Sequence, residues 1–231
     1  MSPENGRIVA VIPAFHEETR IAATVAGVRP FVDRVIVVDD GSTDRTAHRA
    51  AEAGATVARH ITNRGQGAAL RTGTEAACRI GASIVVHIDA DGQHDPLSIP
   101  TLLAPLRAQE SDVVFGSRFL GEDAVGMPTS RKALLSAART FNALVVGVPR
   151  RVSDPQSGFR AMSRAAAESV SFTQDRMAHC SEILRLVTRS DLRWREVPVR
   201  VIYSVESLQK GQKPWHAFRI VWQLFLGAFL K

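Results

Sequence analysis

Short runs of valine and isoleucine alternate with alanine-rich segments through the first half of the chain, and this alternation limits the fold more than any other feature. The apolar runs cover residues 7–13, 34–40, 55–60, 83–89 and 112–117 and have the composition of β-strands. Residues 46–53 and 67–80, between them, have a helical pattern. Strand–helix alternation predicts an α/β fold with a mainly parallel sheet and helices on both faces.

Acidic and polar residues follow several of these predicted strands. In such sheets ligands bind beyond the carboxyl ends of the strands. The residues at those ends are therefore the first functional candidates. They are Asp39, Asp40, Asp89, Asp91, Gly116 and Arg118.

The segment "VVHIDADGQHDP" at residues 85–96 is the most informative of these strand ends. Asp89, Asp91 and Gln93 are spaced by two, so their oxygens can converge on one site. Oxygen ligands suit Mg²⁺ or Mn²⁺, which in turn binds diphosphate oxygens. The alternative is a turn in which a carboxylate caps the next helix, and Asp95 before Pro96 fits that interpretation.

The second half of the chain follows a different pattern. We predict helices near residues 130–146, 164–170 and 178–190, and a strand at 193–203. With no repeat and no convincing linker, residues 1–212 are predicted to form one domain. Residues 129–164 contain seven basic residues and one acidic residue, and this excess of positive charge favours an anionic partner. A solvated basic surface is the alternative.

Composition narrows the cellular setting. The 231 residues contain two distant cysteines and no polar–apolar pattern of a signal peptide, which favours a reducing compartment and a cytoplasmic protein. The sequence contains no apolar run of 18 or more residues, so no membrane-spanning helix is predicted. Only three Trp and one Tyr, with no aromatic residues among the basic ones, argue against nucleic acid.

The C-terminal segment, residues 213–231, has aromatic residues near helical spacing, with Arg219 and Lys231 at its margins. It is too short to span a bilayer, but it suits an amphipathic helix in a membrane interface. Packing on the protein's own core, or against another subunit, are the alternatives. Interfacial binding would place the protein peripherally at the cytoplasmic face of a membrane.

Six short motifs together resemble those of the family 2 glycosyltransferases. In chain order they are "VIPAFHEE", "VVDDGSTD", "NRGQGAAL", "DADGQHDP", "GSRF" and "DPQSGFR". Within that family the chain is similar to the polyprenyl-phosphate sugar transferases, and the resemblance covers roughly residues 7 to 203. It implies a GT-A fold, a nucleotide-sugar donor and a Mg²⁺ or Mn²⁺ ion.

The resemblance also implies a role for individual residues. Those expected at the nucleotide are Pro13, Ala14, Glu17 and Asp39, with Asp40 behind them and Lys210 on the donor diphosphate. Asp89, Asp91 and Gln93 would face the metal. Arg118 and Arg131 would grip the acceptor phosphate, and Asp154 would lie near the transferred sugar. Two positions depart from the pattern: His16 replaces an asparagine, and Leu135 stands where a serine is expected, with Ser136 one step away.

The implied reaction is the inverting transfer of a hexose, from GDP-mannose or UDP-glucose, to a polyprenyl phosphate. A phosphate monoester has a second pKa of about 6, so it needs positioning by cations more than deprotonation. An alcohol acceptor would need a base, for which Asp154 is the candidate. A non-lipid acceptor, such as a small phosphorylated acid or an envelope saccharide, remains an alternative. A catalytically silent binding protein is the third.

Overall fold

Seven strands and six α-helices are seen in the computed structural model, which describes residues 6–120, 149 and 152–202. The strands are β1 Arg7–Ala14, β2 Arg34–Asp39, β3 Thr56–Arg59, β4 Ala82–His87, β5 Val113–Ser117, β6 Arg160–Ser163 and β7 Trp194–Pro198. The helices are α1 Ile21–Val28, α2 Thr46–Glu52, α3 Gln66–Arg79, α4 Ile99–Arg107, α5 Arg164–Ser169 and α6 His179–Arg189. Short 3₁₀ turns occupy Arg29–Phe31 and Pro96–Ser98.

These strands form one sheet in the order β3-β2-β1-β4-β6-β5-β7. Neighbouring strands are parallel from β3 to β4, and β5 is parallel to β7. Strand β6 alone runs antiparallel, between β4 and β5. The mainly parallel sheet predicted from the alternation is therefore confirmed.

Both faces of the sheet are covered, as expected when central strands are apolar throughout. Ile8, Ala10 and Ile12 of β1 belong to one core, together with side chains of α1, α2 and α4. Val9 and Val11 belong to the opposite core, with side chains of α3, α5 and α6. The continuous apolar run of β1 thus reflects its central position.

Strand β6 was not predicted, because its sequence "RAMS" lies in a segment rich in Gly, Pro and Arg. It exists through pairing: His87 of β4 and Phe115 of β5 both lie opposite Arg160, on either side of β6. The strand predicted at 193–203 is shorter, at Trp194–Pro198. The capping interpretation of Asp95 is confirmed, since its carboxylate accepts a hydrogen bond from Leu97 N.

Several predicted segments lie outside the described residues. These are the helix at 130–146, the polar stretch from 204 and the amphipathic segment 213–231. The division into a domain at 1–212 and a C-terminal helix therefore stays a prediction. Within the described part of the chain, no helix combines the length and apolar character needed to cross a bilayer.

Candidate active site

A cleft of about 380 Å³ lies at the carboxyl ends of β1 and β4, beside the start of α3. Gly65 and Gln66 contribute to one wall and Met177, just before α6, to another. The cleft brings together most of the residues predicted to bind the donor. These are Pro13, Ala14, Glu17, Asp40, Asp89 and Asp91.

A larger cavity, about 700 Å³, lies at the amino ends of β1 and β2 and is lined by Arg7, Arg34 and Arg107. It is at the opposite edge of the sheet from the acidic strand ends. Ligands of open parallel sheets bind at the carboxyl edge, so the smaller cleft is the stronger candidate.

The turn after β1 is tied to the turn after β2. His16 has a left-handed backbone conformation, with φ of 55°, and its N–H donates to Ser42 Oγ at 3.0 Å. Its ring Nε2 accepts a hydrogen bond from Thr43 N at 3.2 Å. Glu17 N donates to Thr46 Oγ1 at 2.8 Å. His16 therefore ties the turn after β1, which lines the cleft, to the turn after β2.

Asp39 ends β2 as a fully buried carboxylate. Its Oδ1 accepts a hydrogen bond from Ser42 N at 3.0 Å. Its Oδ2 lies 3.1 Å from Arg59 Nε, but no group of the described residues donates a well-aligned hydrogen bond to it. A buried carboxylate oxygen without a hydrogen bond is costly, and the charge of Arg59 offsets part of that cost. Asp39 is not among the residues that line the cleft, and its contact with a nucleotide stays a prediction.

Asp40 has a different environment from its neighbour. Its two oxygens accept hydrogen bonds from Arg64 N at 3.0 Å and Gly65 N at 2.6 Å, and His60 Nδ1 lies 2.6 Å from Oδ1. These contacts hold the loop that leads into α3. Asp40 therefore fixes the loop containing Arg64 and Gly65 beside the cleft, and its role behind the nucleotide stays a prediction.

The loop held by Asp40 requires glycine at two positions. Gly65 has φ of 108°, and a Cβ there would lie 2.3 Å from Asp175 O. A Cβ on Gly67 would lie 2.0 Å from Gln174 O. The loop thus packs its bare backbone against the segment before α6, which places Gln66 in the cleft.

Asp89 and Asp91 form the acidic pair at the end of β4. Gln66 Nε2 donates to Asp89 Oδ1 at 2.7 Å, and Gln93 N donates to Asp91 Oδ1 at 2.9 Å. Burial, followed by the negative charge of Asp89, raises the pKa of Asp91. Two carboxylates that disfavour each other's charge are stabilised by a cation between them.

This donor set fits a magnesium or manganese ion that takes its remaining ligands from a diphosphate and water. The described residues contain no cluster of three or more Asp, Glu, His or Cys side chains able to enclose a metal alone. Gln93 contributes a main-chain bond, and its role as a metal ligand stays a prediction.

A second polar group lies at the carboxyl end of β5. Arg118 forms a two-pronged ion pair with the buried Asp154, Nε to Oδ2 and Nη2 to Oδ1, both at 2.6 Å. Arg118 N also donates to Asp154 Oδ2 at 3.1 Å. Glu196 of β7 accepts hydrogen bonds from Ser153 N and Asp154 N at 2.8 and 3.0 Å, fixing this segment. Arg131 and Lys210 lie outside the described residues.

Sequence reasoning missed three contributors to these sites. Gln66 lies in the motif "NRGQGAAL", of which only the glycines were interpreted. Its position at the first turn of α3 could have indicated a role in binding. His94 of "DADGQHDP" stacks on Phe159 with ring centroids 5.0 Å apart, and its Nδ1 lies 3.7 Å from Asp89 Oδ2. Glu196 lies in an alternating strand pattern and had no distinguishing signal.

Comparisons with known proteins agree with this geometry. The family model "Glycosyl transferase family 2" matches residues 9–171. A UDP-N-acetylglucosamine–dolichyl-phosphate N-acetylglucosaminyltransferase of Methanococcus voltae is 31% identical over 95% of this chain and 95% of its own. The polyprenol monophosphomannose synthase of Mycolicibacterium smegmatis is 30% identical over 83% of this chain and 72% of its own.

A solved structure extends the likeness to three dimensions. Glucosyl-3-phosphoglycerate synthase from Mycobacterium tuberculosis, in complex with Mn²⁺, UDP and glucosyl-3-phosphoglycerate, superposes with a TM-score of 0.72. It is 26% identical, over 97% of this chain and 80% of its own. The same enzyme has also been solved with Mg²⁺ and UDP. By sequence family, fold and site, this chain is a hexosyltransferase of the GT-A type and belongs to glycosyl transferase family 2.

Proposed function

We propose that the protein transfers a hexose from a nucleotide sugar to a polyprenyl phosphate. One region would bind the donor and a second region would bind the acceptor. The donor edge comprises the turn at 13–17 with Asp39, Asp40, Asp89 and Asp91; the acceptor edge comprises Ser117, Arg118, Ser153, Asp154 and Glu196. The Methanococcus and Mycolicibacterium relatives, named for lipid-phosphate acceptors, support this assignment.

At the donor edge, the unsatisfied oxygen of Asp39 would accept a hydrogen bond from the nucleoside, beside Pro13, Ala14 and Glu17. Asp89 and Asp91 would hold Mg²⁺ or Mn²⁺, which when bound supplies positive charge for the departing diphosphate. Gln66 orients Asp89 through its 2.7 Å hydrogen bond. Gln93 and Lys210 are assigned to the metal and the diphosphate by resemblance.

The choice of acceptor rests on the hydrogen bonds of the Asp154 carboxylate. Both of its oxygens accept short hydrogen bonds from the Arg118 guanidinium, and its side chain is only 1% exposed, so an acceptor has poor access to it. A general base must be able to take a proton from the acceptor. The arrangement therefore favours an acceptor that needs no deprotonation, and a phosphate monoester with a second pKa of about 6 is such a group.

Cations at the acceptor edge would position that phosphate. Asp154 fixes the direction of the Arg118 guanidinium, whose planar shape suits phosphate oxygens. Arg131 and the other basic residues between 129 and 164 would add positive charge around it. Residues 213–231 would hold the protein peripherally at the cytoplasmic face of the membrane that contains the lipid.

The chemical step then needs no proton transfer at the nucleophile. A phosphate oxygen attacks the anomeric carbon as the bond to the diphosphate oxygen breaks on the opposite face. The electron pair of that bond leaves with the nucleoside diphosphate. A single displacement of this kind inverts the anomeric configuration.

A second candidate is transfer to a small phosphorylated acid. The structural likeness to glucosyl-3-phosphoglycerate synthase favours it, because that enzyme was solved with phosphoglyceric acid bound. Transfer to a hydroxyl would require a base, and Asp154 could act only by giving up its bonds to Arg118. The present geometry therefore supports the lipid phosphate better.

The test is a matrix of donors and acceptors with products identified by mass spectrometry. GDP-mannose, UDP-glucose and UDP-N-acetylglucosamine are each incubated with a short-chain polyprenyl phosphate or with 3-phosphoglycerate, with Mn²⁺ or with EDTA. We expect a lipid-linked hexose that requires metal. A product on phosphoglycerate alone would establish the second candidate and refute the first.

A further inference from the structure

A cluster of polar side chains is buried between β4, β6 and the start of α6, behind the donor edge. His87, Arg160 and His179 are fully buried, and Cys180 is 7% exposed. Arg160 Nε donates to His87 Nδ1 at 3.2 Å, and His87 Nε2 lies 2.8 Å from Thr74 Oγ1. The proposed reaction uses none of these side chains directly.

Arg160 is the unusual member of this cluster. Its guanidinium is enclosed by protein, yet no carboxylate of the described residues forms an ion pair with it. A buried cation without a counter-charge is strongly destabilising. A group able to become an anion, the Cys180 thiol, has its Sγ 4.0 Å from Arg160 Nη2.

Cys180 is also paired with the adjacent histidine. His179 Nε2 lies 3.3 Å from Cys180 Sγ, while its Nδ1–H donates to Arg176 O at 2.8 Å. The Nδ1 bond directs Nε2 at the sulfur, where it can take the thiol proton. The sulfur therefore lies between an imidazole and a guanidinium, whose positive charges would stabilise a thiolate.

The ionisation of the pair agrees with this geometry. Burial raises the pKa of Cys180, but the charge and hydrogen bond of His179, with the charge of Arg160, outweigh it and lower the value to about 7. Although burial lowers the pKa of His179, the neighbouring sulfur raises it overall. Thiolate character makes a cysteine nucleophilic.

The cluster is mechanically linked to the donor edge. Asp175 O, shortly before α6, accepts hydrogen bonds from Gly67 N at 2.8 Å and Ala68 N at 3.3 Å. Gly67 packs so closely on α6 that a Cβ there would lie 3.0 Å from His179 Cβ. A group added to Cys180 would therefore displace the loop that brings Gln66 to Asp89.

We propose that Cys180 is a modification site at which hydrogen peroxide forms a sulfenic acid that weakens donor binding. The thiolate sulfur attacks one peroxide oxygen, an S–O bond forms and the O–O bond breaks. The sulfur is oxidised by two electrons, and the departing hydroxide takes a proton from His179 to become water. The effect on donor binding rests on the proposed function, whereas the oxidation does not.

Cys78 is an internal control for the oxidation. It is more exposed than Cys180, but burial and then the charge of Glu168 raise its pKa. The full-length protein is treated with hydrogen peroxide at pH 7, trapped with dimedone and mapped by mass spectrometry. We expect Cys180 to be labelled about tenfold faster than Cys78, because its thiolate fraction is far larger. Faster labelling of Cys78, or no labelling of either, would overturn the proposal.

The second arm measures donor binding. Peroxide should raise the KM for the nucleotide sugar several-fold, and dithiothreitol should reverse the change. Cys180→Ser should abolish this response, whereas Cys78→Ser should leave it intact. Labelled Cys180 with an unchanged donor KM would refute the link to the donor edge. An untreated protein without transferase activity would refute the proposed function and leave the labelling result standing.

Discussion

The donor and acceptor edges lie on one sheet, yet they hold their charged groups in opposite ways. At the donor edge, the carboxylates of Asp39, Asp40 and Asp91 accept hydrogen bonds from main-chain N–H groups. At the acceptor edge, the Asp154 carboxylate is held by the Arg118 side chain, and Glu196 fixes the segment that carries it.

This difference distinguishes carboxylates that can still bind a cation from a carboxylate that is already paired with an arginine. Main-chain amides orient a carboxylate without neutralising it, so the Asp89–Asp91 pair keeps negative charge for a cation, whereas Asp39 has Arg59 Nε 3.1 Å from its Oδ2. The Arg118–Asp154 pair is already neutral and costs less to bury than either charge alone. We therefore expect donor-edge substitutions to affect catalysis more than folding, and acceptor-edge substitutions to affect both.

Asp91→Asn should produce the largest effect on catalysis. Removing this charge from the proposed metal site should lower kcat/KM by about 1000-fold, since metal and electrostatic stabilisation contribute several kcal/mol. Because the native fold raises the pKa of Asp91, the ionised carboxylate is disfavoured in the folded state. Stability at pH 7, measured by urea unfolding, should therefore be unchanged or higher.

Asp112→Asn is the matched control for that change. Asp112 lies before β5 and pairs with Arg193 on the surface, with Nη2 to Oδ1 at 2.9 Å. It should keep full transferase activity. Equal losses of activity in the two variants, or full activity in Asp91→Asn, would remove Asp91 from the reaction.

The donor edge was largely predictable because its signals are local. Valine and isoleucine runs mark the strands, and parallel pairing brings their carboxyl ends to one edge. Asp39, Asp89 and Asp91 could therefore be placed together before the structure was known. Gln66 could not, since its approach to Asp89 depends on how α3 packs against the segment before α6.

The acceptor edge was less predictable because its signals are distant in sequence. Arg118 and Asp154 are 36 residues apart, and no periodic pattern joins them. Strand β6 has four residues of weak β-propensity and forms only because β4 and β5 present free edges to it. The sequence named both charged residues but could not indicate that they bind each other.

Asp154→Ala should produce the largest effect on folding. The substitution removes the carboxylate that pairs with the partly buried Arg118, and breaking such a pair costs about 3 kcal/mol. Urea unfolding should show this loss. The double variant Arg118→Met, Asp154→Leu should recover part of it, because it removes both charges. An unchanged stability in Asp154→Ala would show that the pair is not structural.

Asp39→Asn should have a moderate effect confined to the donor. The amide keeps an oxygen for the Ser42 bond but replaces the second, unsatisfied oxygen with a donor group. We expect the donor KM to rise about tenfold, as when one hydrogen bond to a ligand is lost, with the acceptor KM unchanged.

Asp44→Asn is the control for Asp39, since Asp44 Oδ1 accepts hydrogen bonds from Thr46 N and Oγ1 before α2 and an asparagine oxygen can accept the same bonds. Its donor KM should stay at the wild-type value. A rise in the acceptor KM of Asp39→Asn, or equal donor KM values in the two variants, would argue against a nucleoside contact.

The smallest expected effect is on the pH dependence of stability, which should differ in sign between Asp112 and Asp91. Hydrogen bonds from Arg193 outweigh burial and lower the pKa of Asp112, whereas burial and Asp89 raise that of Asp91. Stability from Asp112 is therefore complete above its unfolded pKa of about 3.9 and is lost as pH falls through its lower folded value. For this exposed pair it should amount to less than about 1 kcal/mol.

The penalty from ionised Asp91 has the opposite sign and disappears as pH falls through its raised pKa. Urea unfolding of wild type, Asp112→Asn and Asp91→Asn between pH 7 and 3 measures both. Asp112→Asn should be less stable than wild type at pH 7 and equal to it at the acid end. Asp91→Asn should be at least as stable as wild type at pH 7, and any excess in its free energy of unfolding should disappear as pH falls. Differences of the same sign at pH 7 would mean that folding does not shift the pKa values of Asp112 and Asp91 in opposite directions.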